Sequence, residues 1–141
     1  MVREPIVAGI LYPSEPRKLR TAVQRLLMES RLLPGSARAL LLPYAHYESV
    51  GTLIADGMKR VAAAKPRRIV LLAAPTTQTE NGVYLPGAAA FATPLGALTV
   101  DVEAVERLGA AGAMVNDLLH LQEHAMELHL PFLAQLFPEL P

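Results

Sequence analysis

Two short apolar runs, each halted by a proline, set the tightest limit on how this chain can fold. Residues 39–42 read Ala-Leu-Leu-Leu before Pro43, and residues 69–74 read Ile-Val-Leu-Leu-Ala-Ala before Pro75. Runs of this length without polar alternation are the pattern of strands buried on both faces. Between them Val50, Leu53, Ile54, Met58 and Val61 recur at helical spacing, with Ser49 as the expected cap and Pro66 as the stop. Gly51 and Gly57 weaken that helix and predict close packing against the sheet. Strand, helix and strand in this order predict a right-handed βαβ unit with parallel strands. Both strands then end on the same side, where ligands of open α/β sheets gather. The expected crevice therefore holds Tyr44, His46 and Tyr47 after the first run, and Thr76 and Thr77 after the second.

The remaining segments fit around this unit. Residues 2–13 read as an extended lead-in. Ser14 is placed to cap a helix starting near Pro16, with Leu19, Val23, Leu26 and Leu27 on its apolar side and Pro34-Gly35 as its stop. Residues 81–101 read as short strands and turns, residues 102–108 as a short helix, and residues 109–113 as a small-residue linker. A last helix is expected from His120 or Glu123 to Phe137, kinked at Pro131. It carries one apolar set at Leu121, Ala125, Leu128 and Phe132, and another at Met126, Leu130, Leu133 and Phe137. A helix apolar on two sides must be sandwiched. The expected fold class is α/β, three-layered, with a small mostly parallel sheet and flanking helices.

With 141 residues, 52% of them apolar, the chain supports one domain, residues 1–141, with a real core. A formal net charge of +0 offers no electrostatic footprint for nucleic acid or an anionic membrane. The densest basic cluster, Lys65, Arg67 and Arg68, reads as a solvated approach to the second strand. Without cysteine there is no disulfide, thiolate metal site or cysteine nucleophile among these residues. No leader-like segment opens the chain and no apolar run nears membrane-span length, so a cytoplasmic protein is expected.

His120, Glu123 and His124 match the H-x-x-E-H zinc-peptidase pattern, which on a helix places both histidines on one face. That chemistry needs a third protein ligand further on, and the only carboxylates that follow are Glu127 and Glu139. Hydrogen-bonded or solvent-facing histidines account for the motif better. His46 has no second histidine near it in sequence, which favours an ordinary hydrogen-bonding role. Thr76 and Thr77 suit either anion contact or a plain turn. No glycine-rich phosphate loop or G-x-S-x-G elbow occurs.

At these same positions the chain resembles the Memo-like family, which includes the AmmeMemoRadiSam system protein B. Residues 3–13, Arg-Glu-Pro-Ile-Val-Ala-Gly-Ile-Leu-Tyr-Pro, echo the family's opening. Its P-H-A-G-Y loop falls on residues 43–47, its G-P-S-H loop on residues 74–77, and its T-P-L-G-x-x-x-V-D stretch on residues 93–101. Its E-H-S-x-E-x-x-L-P segment is matched by residues 123–131. The resemblance implies a fold similar to the class III extradiol dioxygenases, which use non-haem iron. It also implies that Tyr44 and Thr77 stand where the family carries metal-binding histidines, with its other metal-site residues in a C-terminal half beyond the matched stretch.

The expectation is a degenerate Memo-like protein, a half-fold with no cofactor, acting in binding or assembly rather than as an enzyme. Its pocket would use Tyr44, His46, Tyr47, Thr76, Thr77, Glu123 and His124. Half of such a sheet leaves an open edge and an uncovered apolar face, so a homodimer or a second chain is expected to complete it. The alternative is a dioxygenase-like oxidoreductase holding iron or copper, with its site completed by another chain. Weak metal candidates are His46, His120 and His124. A zinc peptidase through His120 and His124 is a third option.

Overall fold

Helix α1 (Pro16–Glu29) starts where proline needs no hydrogen-bond partner for its nitrogen. Its cap position is Glu15 rather than Ser14, and no side chain caps it. Leu19, Val23 and Leu26 form its buried stripe, as their spacing predicts. The computed structural model describes residues 1–31, 35–75 and 81–140. Thr76, Thr77 and the Pro34 of the expected helix stop lie outside the described residues.

Helix α2 (Tyr47–Ala63) packs on α1, and its contact face differs from the expected one. Tyr47, Gly51, Ile54, Ala55, Gly57 and Met58 are buried, whereas Leu53 faces out. The two glycines turn the helix. A Cβ at Gly51 would lie 2.6 Å from Leu26 Cδ1, and one at Gly57 would lie 2.6 Å from Leu42 Cδ2. The glycine edge therefore lets α1 and the first apolar run come close, which leaves no room inside for Leu53. The cap is His46, not Ser49; it contributes its carbonyl, which accepts from the Ser49 and Val50 amides.

Strand β1 (Val2–Arg3) runs parallel to β3 (Ala90–Thr93), which pairs antiparallel with β4 (Gly96–Thr99), giving the order β1-β3-β4. Pro94 and Leu95 form the β3–β4 turn. Thr93 Oγ1 donates to the Gly96 carbonyl at 2.8 Å and accepts the Leu95 amide at 3.0 Å. A second, two-stranded sheet pairs β2 (Tyr84–Leu85) with β5 (Met114–Val115) in parallel. Helix α3 (Val102–Ala110) is capped by Asp101, whose carboxylate accepts the Ala104 amide at 2.9 Å. Helices α1 and α2 and small mixed sheets make an α/β fold, with the sandwiched C-terminal segment between them.

That segment is not one kinked helix. It divides into α4 (Asp117–Gln122), a 3₁₀ turn at Glu127–His129, and α5 (Leu130–Leu136). Glu123 leaves the helical conformation with φ −85° and ψ 122°. Pro131 sits in the first turn of α5, where its missing N–H costs nothing, so it starts a helix instead of bending one. Leu128, Leu130, Phe132 and Leu133 are buried, and α5 contacts α1, α2, β3 and β4, which makes it the sandwiched element expected.

The two apolar runs are not strands. Among the described residues, neither run exchanges backbone hydrogen bonds with a neighbour. Apolarity specifies burial, whereas a ladder requires another backbone alongside. The βαβ unit is therefore absent as a paired sheet. A period of two survives: Ile69, Leu71 and Leu42 pack against the core, while Leu41, Val70 and Leu72 are 100%, 68% and 87% exposed.

Candidate functional site

The residues after the first run reach residue 124 from one side. Tyr44 is half exposed, and its ring stands edge-on to the His124 ring, with centroids 5.5 Å apart and planes at 76°. His46 is exposed at the start of α2. Tyr47, expected beside it in the pocket, belongs to the core instead. Its ring stacks on Tyr12 at 5.5 Å and lies 5.3 Å from Phe132, and its hydroxyl donates to the Leu128 carbonyl at 2.7 Å. Helical spacing explains this, since the first residue of α2 lies on the same face as Gly51 and Ile54.

The end of the second run meets Glu123 around a cavity of about 170 Å³, lined in part by Leu71, Ala73, Pro75, Val83, His120 and Glu123. Glu123 is only 5% exposed. Its Oε1 accepts the Ala125 amide at 2.6 Å, and its buried Oε2 has no partner among the described residues. His120 Nε2 lies 3.0 Å from the Tyr84 carbonyl. A carbonyl can only accept, so Nε2 of His120 donates here. Its Nδ1 is buried and likewise has no partner among the described residues. A second, more apolar cavity of about 260 Å³ adjoins this one and shares Leu71, Tyr84 and His120.

The H-x-x-E-H pattern does not produce its helical geometry. Helix α4 ends at Gln122, so His120 is helical and His124 is not, and the shared face never forms. His124 turns to Tyr44 while His120 turns to Tyr84 and Phe91. Among the described residues, no three His, Asp or Glu side chains converge.

What fixes the end of α4 is a buried ionic network that sequence reading missed. Arg3 donates to the carbonyls of His120 at 2.8 Å and Glu123 at 2.7 Å, and to Glu127 Oε2 at 3.0 Å. Its guanidinium also lies 5.3 Å from the Phe91 ring centre. Glu127, fully buried, further accepts from the Ile6 and Val7 amides and the Tyr12 hydroxyl. Burial and the neighbouring carboxylate push the Tyr12 phenol well above its ordinary value, and burial does the same to Tyr47. Both therefore remain hydrogen-bond donors throughout the neutral range. The available signal was Glu127 itself, an acid lodged between Met126 and Leu128 in an apolar stretch.

His129 is buried as well. Its Nδ1 lies 2.9 Å from the Ala125 carbonyl, and burial lowers its pKa against the opposing pull of the Ala125, Met126 and Pro43 carbonyls. No helix among the described residues is long and apolar enough to cross a membrane.

Comparison with known proteins places these features in a family. The pattern of the family described as Memo-like protein matches residues 3–141. A MEMO1 family protein of Thermotoga neapolitana is 33% identical over 97% of this chain and 54% of its own length. One from Methanopyrus kandleri is 31% identical over 99% of this chain and 53% of its own length. A protein memo-1 homolog of Caenorhabditis elegans is 31% identical over 91% of this chain and 37% of its own length. The chain thus spans about half the length of most of these relatives. With the opening segment, the two run-end loops and the residues 123–131 segment all inside the matched region, the chain belongs to the Memo-like family.

Proposed function

We propose that this chain is a binding or assembly member of the Memo-like family that does not hold the mononuclear metal its resemblance brings to mind. The observation that carries this reading is Tyr44. At the end of the first run a phenol stands half exposed with its ring against His124. A tyrosine can ligate iron, but Tyr44 and His124 offer at most two donors here, and His46 lies apart at the exposed start of α2. The donor set does not fit an iron or copper site. Metal analysis of the purified protein tests this directly, with sub-stoichiometric iron and copper as the expected outcome. Stoichiometric iron or copper, lost on His46→Ala or His124→Ala, would establish the dioxygenase-like oxidoreductase reading instead.

The assembly part rests on Leu41, Val70 and Leu72. Covering three such side chains is worth on the order of 5 kcal/mol, before any gain from pairing the two unpaired runs. Relatives about twice as long suggest the occupant: a polypeptide equivalent to the other half of their fold, laid along these runs.

A further inference from the structure

We propose that the 260 Å³ cavity under α3 binds an uncharged apolar molecule of about ten carbon atoms, with α3 as its roof. Neither Tyr44 nor His124 lines this space, and the proposal does not rest on the reading above. Asp101, Ala104, Val105 and Leu108 line the cavity, and their spacing puts them on one face of the helix. An apolar helical stripe ordinarily rests on side chains beneath it. Here no residue of α3 is buried, because the stripe faces the cavity. Across the space lie Phe91 and Leu98 of the small sheet and Leu130 and Leu133 of α5. Both ends of the helix are fixed. Ahead of it the Val100 amide donates to the Ala89 carbonyl at 2.9 Å, and Asp101 accepts from Arg68 Nε at 2.6 Å. Behind it the Met114 and Asn116 amides donate to the Val83 and Leu85 carbonyls at 2.9 and 3.0 Å. The helix is therefore held off the core, and the gap beneath it belongs to the fold.

The lining decides the occupant. Among the described residues, the full charges around the cavity are Arg68 and Asp101, and they pair with each other, which leaves neither sign to hold an ion. The other Asp101 oxygen accepts the Ala104 amide. Water keeps a place in such a space only with several polar partners, and the side chains of Leu98, Leu130, Leu133 and Phe137 supply none. An apolar cavity of about 150 Å³ holds benzene, so about 260 Å³ suits a hydrocarbon of about ten carbons, such as a fused pair of rings. Val70 and Leu72, exposed on the second run, also line the cavity, so self-association along that run is the competing way to fill it. The chain has no tryptophan, and a phenylalanine adds a single carbon to benzene. One side chain from a second copy therefore falls short of the space, whereas a bicyclic ligand matches it.

Titration of the 141-residue chain with naphthalene, benzene and naphthoate, followed by methyl NMR, tests the proposal. Naphthalene should shift the Val105, Leu108 and Leu133 methyls saturably and leave those of Leu41 and Leu118, which lie outside the cavity, in place. It should bind at least tenfold more tightly than benzene, which leaves space unfilled, and than naphthoate, which carries an unpaired charge into hydrocarbon. Ala104→Phe directs a ring into the cavity from its roof and should abolish binding; if that variant does not fold, the methyl map of the unaltered protein decides. Equal shifts at Leu41 and Leu118 would mean adsorption to exposed apolar surface and overturn the proposal. Equal binding of naphthoate, or undiminished binding by folded Ala104→Phe, would do the same. An affinity that falls as protein concentration rises would put a second copy in the cavity and equally overturn it. None of these results bears on the metal content that tests the reading above.

Discussion

Glu127 collects more hydrogen bonds than any other side chain described here, and each partner comes from the first twelve residues. Removing one partner of a buried pair leaves the other charge uncompensated, which typically costs about 3–5 kcal/mol. Glu127→Ala should therefore remove most of the stability of an ordinary domain, measured as the denaturant midpoint. Glu127→Gln should lose less, since its amide oxygen still accepts from the amides. By contrast, the exposed Lys18–Glu15 pair should contribute about 0–1 kcal/mol. His129 gives the molecule a pH dependence. Its folded pKa lies below the ordinary 6.5, so the unfolded chain takes up the proton first as pH falls. Its contribution is full above pH 6.5, declines below that value, and levels once the folded ring is also protonated. Denaturation at pH 7.5 and 5.5 should show this loss, and His129→Gln should flatten it.

At the scale of elements, α2 shows why a helix with two glycines is kept. Alanine at position 57 would gain about 1 kcal/mol in helix propensity, yet its Cβ would press on Leu42 at 2.6 Å and Leu40 at 3.1 Å. Overpacking of this kind costs about 1–3 kcal/mol, so Gly57→Ala should be net destabilising by about 1 kcal/mol in chemical denaturation. Helix α1 was readable from Leu19, Val23 and Leu26 because helical spacing is local, and the short helix α3 was placed over residues 102–108 in the same way, without its Asp101 cap. The face of α2 was misread at Leu53, since which side packs depends on the neighbour that its glycines admit. Strand character in residues 39–42 and 69–73 was misread for a related reason: apolar runs are written in one segment, but a ladder needs two. In the crevice, Tyr44, Glu123 and His124 were named together through the family motif and not through any local rule. Arg3 and the buried orientation of Tyr47 were missed, because nothing within a few residues of either announces its partner.

For the whole molecule, the uncovered side chains of both runs predict how it behaves in solution. Size-exclusion chromatography with light scattering should find the isolated chain self-associated or aggregating, and co-expression with the unmatched portion of a family-length relative should suppress this. A well-folded monomer at high concentration would remove the assembly part of the proposal. The Arg3–Glu127 staple carries a separate consequence for how the fold is reached. Its partners are 124 positions apart in the chain, so the loop they close spans almost everything between, and contacts of such long range slow folding. On the ribosome, the N-terminal segment must wait with a cation and two open amides until residue 127 has emerged. The helices α1 and α2 can pair early, but the core closes only once residues 127–133 have been made.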